Sequence, residues 1–80
     1  MTATEMLGQK AIQSALQKGW QVVANLNQTD VIEMATVVAW KPNKLQAYYW
    51  RYAEGILCSK GWIPMHQIEH MLDSSDQALF

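Results

Sequence analysis

Val31-Ile32-Glu33-Met34-Ala35-Thr36-Val37-Val38-Ala39-Trp40 is the stretch on which the fold turns. It is apolar on almost every side, with only Glu33 and Thr36 to mark an exposed edge. Two structures satisfy that pattern. One is a central helix buried all round; the other is a strand, to which the β-branched Val31, Ile32, Thr36, Val37 and Val38 are suited. Asp30 with Glu33 offers a capping pair ahead of the segment, and a helix is expected.

Upstream, residues 20–26 carry the same ambiguity: Trp20, Val22 and Val23 suit a strand, whereas Trp20, Val23 and Ala24 suit a helical turn. A short helix is expected, followed by a polar connection over residues 25–30. Nearer the N-terminus, Thr2 with Glu5 fits a capping box. Ala11, Ile12, Ala15 and Leu16 then share one face while Lys10, Gln13 and Gln17 point away, so residues 3–18 read as an amphipathic helix. Gly19 after Lys18 is a suitable left-handed stop.

Downstream, Lys41-Pro42-Asn43 is a strong breaker, with Asn43 placed to cap the next helix. That helix is expected from Lys44, because Leu45, Tyr48, Tyr49, Tyr52, Ala53 and Ile56 fall on one stripe at helical spacing. Ser59-Lys60-Gly61 would end it, and Pro64 would open a last helix that turns Met65, Ile68 and Leu72 inward.

The tripeptide Lys-Gly-Trp occurs at 18–20 and again at 60–62, and in register the two copies divide the chain into helix, tight turn, helix, repeated once. The expectation is therefore an all-α fold of four or five short helices in two antiparallel hairpins, with one domain over residues 1–73 and a frayed tail over 74–80. Its core would be Ile12, Leu16, Val31, Val38, Leu45, Tyr49, Tyr52, Ile56, Ile68 and Leu72. The alternative is an α+β fold in which residues 20–24 pair with residues 36–40 as a small two-stranded ribbon.

A chain of 80 residues makes one small domain and buries only about 60 to 65% of the surface its unfolded form exposes. Half of it is apolar, yet no run reaches the roughly 20 residues that span a bilayer, and no basic n-region precedes an apolar stretch. The single cysteine, Cys58, excludes an internal disulfide framework. Together these make a small soluble, cytoplasmic protein the expectation. Six basic and seven acidic side chains leave a net charge of −1, which gives no footprint for nucleic acid or membrane.

The candidate motifs are weak. His66-Gln67-Ile68-Glu69-His70 matches the H-x-x-E-H string of the inverted zinc peptidases, but two histidines, even with a helix-mate, Asp73, fall short of a closed zinc shell, so no metal and no cofactor is expected. Trp50 and Gly61 lie at about the separation found in the tetratricopeptide repeat, but His66 and His70 stand where that repeat has small residues. Residues 57–72 have nearly the length of a helix-turn-helix, yet the second helix would present His66, Gln67, Glu69 and His70 to DNA with no lysine or arginine among them. No nucleotide loop or nucleophile elbow is present, and no enzyme activity is expected.

Four tryptophans, three tyrosines and five methionines exceed what so small a core encloses. The functional expectation is a protein-binding module, of the kind of a phage-type inhibitor or secretion adaptor, docking through Tyr48, Trp50, Leu57 and Trp62. The partner would be another protein, with a homodimer compatible, and a helix-turn-helix regulator is the alternative.

Overall fold

A computed structural model describes residues 2–28, 33–72 and 77–79. Helix α1 spans Ala3–Gln17, and its ends are those the local signals announce. Thr2 caps it, its Oγ1 accepting the Glu5 N–H at 3.1 Å. At the other end the Gly19 N–H reaches the Leu16 carbonyl and the Trp20 N–H reaches the Ala15 carbonyl, which is the Schellman pairing, with Gly19 at φ 78°. Thr4, Gly8, Ala11, Ile12 and Ala15 form the buried stripe.

Beyond Gly19 the all-α expectation fails. Strands β1 (Gln21–Gln28), β2 (Glu33–Trp40), β3 (Gln46–Ala53) and β4 (Ile56–Pro64) form an antiparallel meander. A single 3-10 turn, Met65–Gln67, and the short helix α2, Ile68–Leu72, come next, and β5 (Gln77–Leu79) pairs with β1. The sheet order is β4-β3-β2-β1-β5. Among the described residues there are no helical hairpins. The pairing held as the alternative, residues 20–24 against 36–40, is present from Gln21↔Trp40 to Asn25↔Thr36, but within a five-stranded sheet rather than a ribbon. In the expected tail, Gln77–Leu79 is β5, while residues 74–76 and 80 lie outside the described residues.

The physical reason is that β2 is central and covered on both faces. Ala35, Val37 and Ala39 meet α1, while Val38 belongs to a second cluster with Ala47 and Ile63 on the opposite face. A strand sealed on both sides is apolar at every position, so period 2 disappears from its sequence. The same holds in β3, where Trp50 and Tyr52 join the α1 side and Ala47 and Tyr49 the other. Their spacing imitates a helical stripe, but the aromatic content suits a pleated surface.

Two tight turns carry the meander. Glu54 and Gly55 both have positive φ, 52° and 77°, as a two-residue type I′ hairpin demands. Asn43 has φ 68° after Pro42, and the Lys44 N–H meets the Lys41 carbonyl at 3.4 Å, a type II pattern. Asn43 is thus a turn residue rather than a helix cap. Gly61 is no helix stop either; it lies within β4 opposite Tyr49. With residues 56–64 in a strand, the helix-turn-helix loses its first helix.

Small residues let α1 lie close to the sheet. A Cβ at Gly8 would stand 3.2 Å from the Ala35 Cβ and from a Leu26 methyl. Thr4 pins the start of the helix: its Oγ1 accepts the Gly55 N–H at 2.6 Å and its own N–H donates to Glu33 Oε1 at 3.0 Å. Of the expected core, Ile12, Val38 and Tyr52 are buried and Tyr49 and Ile68 half-buried, whereas Leu16, Leu45 and Ile56 are exposed. Val31, and the side chain of Leu72, lie outside the described residues. Each fully buried aliphatic such as Ile12, Val22 or Val37 contributes about 1.5–3 kcal/mol. Among the described residues no helix is long and apolar enough to cross a membrane.

Candidate functional site

Because Thr4 ties the start of α1 to Glu33 and Gly55, the helix ends over the opposite edge of the sheet. There β1 begins, β2 ends, β3 begins and β4 ends. The Schellman turn delivers Lys18 and Trp20 to that edge, and the type II turn delivers Lys41, Asn43 and Lys44. The 3-10 turn is fastened there too, by the Met65 N–H on the Leu45 carbonyl at 3.1 Å.

Strand register assembles the aromatic side chains. Tyr48 pairs directly with Trp62 across β3 and β4, and Trp50 stands two residues along β3 on the same face. The Tyr48 ring stands edge-on to both indoles, with centroids 4.9 Å apart in each case and interplanar angles of 61° to Trp50 and 83° to Trp62. Such edge-to-face pairs contribute about 0.5–1.5 kcal/mol beyond burial, so they hold the rings upright. Trp50 and Trp20 pack on the core, whereas Trp62 remains 59% exposed. The Lys18 ammonium sits 5.7 Å from the centre of the Trp20 ring, within cation–π range.

Two adjoining clefts share Trp20 and Trp62 as walls. The larger, about 710 Å³, adds Lys41, Lys44, Leu45 and Gln46; the smaller, about 190 Å³, runs under the end of α1 to Tyr48 and Trp50. Leu45 is 87% exposed at the rim. Among the described residues no carboxylate, imidazole or thiol lines either cleft. The arrangement offers indole and aliphatic surface, ammonium groups and amides, which suit contact rather than proton transfer.

Of the four residues singled out from the sequence, Tyr48, Trp50 and Trp62 come together, on strands rather than on a helix. Leu57 does not join them; it lies toward the other end of β4, beside exposed Ile56. Trp20, Lys18, Lys41, Lys44 and Leu45 are the members that helical spacing misses. The signal for Trp20 and Lys18 is the first Lys-Gly-Trp, read for its turn and not for what the turn delivers. His66 and His70 are exposed on the C-terminal segment, and Asp73 lies outside the described residues. Among the described residues no three His, Cys, Asp or Glu side chains stand close enough to hold a metal ion. Cys58 is exposed, its Sγ 3.7 Å from the Ile56 carbonyl.

The perturbed titrations lie away from the clefts. Hydrogen bonds from Thr2 and Thr4 hold the Glu33 carboxyl below its ordinary value, and burial pushes the Tyr52 hydroxyl up. No family model matches the chain, and comparison with curated proteins and with solved structures finds no match.

Proposed function

We propose that the protein is a small non-enzymatic docking module of the cytoplasm, an inhibitor or adaptor that holds a larger protein in the cleft between Trp20 and Trp62. The observation that carries the reading is Trp62, an indole mostly in solvent yet fixed by Tyr48 above an apolar cleft. An exposed tryptophan held by a neighbouring ring at the wall of a cleft has the character of an interface anchor, where truncation commonly costs about 2 kcal/mol or more. The clefts' lack of groups for acid–base or nucleophilic work among the described residues supports a binding role, and the lone exposed Cys58 accords with a reducing compartment. The site proposed is Trp20, Tyr48, Trp50 and Trp62, with Leu57 outside it.

The test is affinity capture from the host with the wild-type chain and with Trp62→Ala in parallel. A partner retained by the first and lost by the second, with equal circular dichroism and melting temperature, is the expected outcome. A variant that keeps every partner, or that loses its fold along with them, removes the reading.

A further inference from the structure

The cleft's basic rim is the feature that the composition conceals. Lys18, Lys41 and Lys44 all reach the end of the molecule where α1 terminates, and Lys60 lies on the same face of the sheet, paired across strands with Trp50. The described acidic side chains lie elsewhere. Glu5 is in the first turn of α1, Glu33 opens β2 and Glu54 sits in the β3–β4 turn, all at the opposite end, and Glu69 is on α2, whose neighbour Ile68 packs on the sheet's other face. Among the described residues, therefore, a chain of net charge −1 gathers Lys18, Lys41 and Lys44 at one end.

Resting on the docking reading above, we propose that the cleft takes an acidic segment of the partner protein, in which an apolar or aromatic side chain is flanked by carboxylates. The apolar side chain would lie against Trp20, Trp62 and Leu45, and the carboxylates would meet Lys41, Lys44 and Lys18. Charge complementarity selects this occupant: Lys41 and Lys44 line the larger cleft and Lys18 the smaller, with no lining carboxylate to neutralise them among the described residues. Exposed lysine–carboxylate pairs contribute about 0.2–1 kcal/mol each, so the rim confers selectivity and faster association while the indoles supply most of the affinity. Single-stranded nucleic acid also uses aromatic rings and cations, but its bases need ring faces on which to stack. Here the Tyr48 ring is already engaged edge-to-face with Trp50 and with Trp62, and the one arginine, Arg51, lies in register with Thr36 and Ser59 on the opposite face of the sheet.

The probe is a random dodecapeptide library displayed on phage and selected on the full chain, with the recovered peptides then measured by fluorescence anisotropy. Peptides rich in Asp and Glu around an apolar residue are expected. Their affinity should fall roughly tenfold in Lys41→Glu/Lys44→Glu, the conversion of about 1.4 kcal/mol for two reversed pairs, and should fall again as salt shortens the screening length. Both lysines are exposed, and circular dichroism of the double variant, recorded alongside, is the check that it keeps its fold. Neutral apolar peptides that bind independently of salt but are abolished by Trp62→Ala would overturn the acidic occupant and leave the docking reading intact. Recovery of no Trp62-dependent peptide would remove both. Tighter binding of oligothymidylate than of any selected peptide would overturn the proposal in favour of nucleic acid. Self-association abolished by the charge reversals would do so in favour of a second copy, joined basic end to acidic end.

Discussion

The two Lys-Gly-Trp tripeptides are chemically identical and structurally opposite, and replacing each glycine by alanine separates the two folds that the sequence allows. Gly19 has φ 78° with open space where a Cβ would go, so the cost of Gly19→Ala is purely conformational. Left-handed backbone costs an L-residue roughly 1–2 kcal/mol, and the reduced freedom of the unfolded chain offsets about 0.4–1 of it. The net loss is about 1 kcal/mol, or some 4 to 8 °C in melting temperature for a domain of this size. Gly61 lies in β4, where a Cβ would make an ordinary 3.5 Å contact with the Tyr49 ring that already covers it. Only the unfolded-chain contribution remains at that position, and Gly61→Ala should melt at the parent's temperature or up to about 8 °C above it. Thermal melts monitored by circular dichroism at two wavelengths, for parent and both variants, decide the matter. The reasoning is refuted if Gly61→Ala melts several degrees below the parent while Gly19→Ala matches it, since Gly61 would then be the left-handed residue and residues 56–64 would not be a strand.

Two further outcomes test how α1 is held. Thr4→Val keeps the shape of a fully buried side chain but leaves the Gly55 N–H without its acceptor, at a cost of about 1–3 kcal/mol; the melting temperature should fall by at least about 4 °C, and Thr4→Ser should recover most of the loss. The Glu33 carboxyl, held below its ordinary value of 4.5 by hydrogen bonds from Thr2 and Thr4, contributes stability that is present above pH 4.5 and is lost as the pH falls through the lowered folded value. Glu33→Gln should therefore melt below the parent at neutral pH, by less than Thr4→Val does, and the gap should close in acid; a gap that stays constant down to about pH 3 would contradict the assignment.

How much of this fold is legible in the sequence depends on what each element needs for its definition. Helix α1 is specified locally: Thr2 and Glu5 start it, Gly19 stops it, and one apolar face repeats between them. The strands are specified by what covers them. In β2 the alternation that identifies a strand is erased because α1 seals Ala35, Val37 and Ala39 while Val38 is sealed by the opposite cluster, and no local window contains either partner. The turns carry weak signals for related reasons. Glu54-Gly55 lacks the Asn or Asp that usually marks a type I′ hairpin, and Asn43 after Pro42 reads equally well as a helix cap until its positive φ is known. Helical spacing groups Trp50 with Leu57, whereas strand register groups Tyr48 with Trp62, so the wrong period also places the wrong neighbours together.

The basic rim takes the same argument one step further. Lys18 lies far along the chain from the pair Lys41 and Lys44, and any sum over the sequence cancels all three against seven carboxylates. They converge because a helix pinned at its start by Thr4 and a meander of eight- and nine-residue strands return the chain to the same edge: α1 ends there, and β2 hands over to β3 there. The β3–β4 turn, carrying Glu54, falls at the other edge together with Glu33 and Glu5. Separation of charge among the described residues is thus a property of strand length and connection order. Moving a lysine in sequence by one strand would carry it to the acidic end without changing the composition at all. A net charge near zero is for that reason no argument against an electrostatically selected partner, and the charge-reversal pair Lys41 and Lys44, which leaves every core contact untouched, is the perturbation that isolates it.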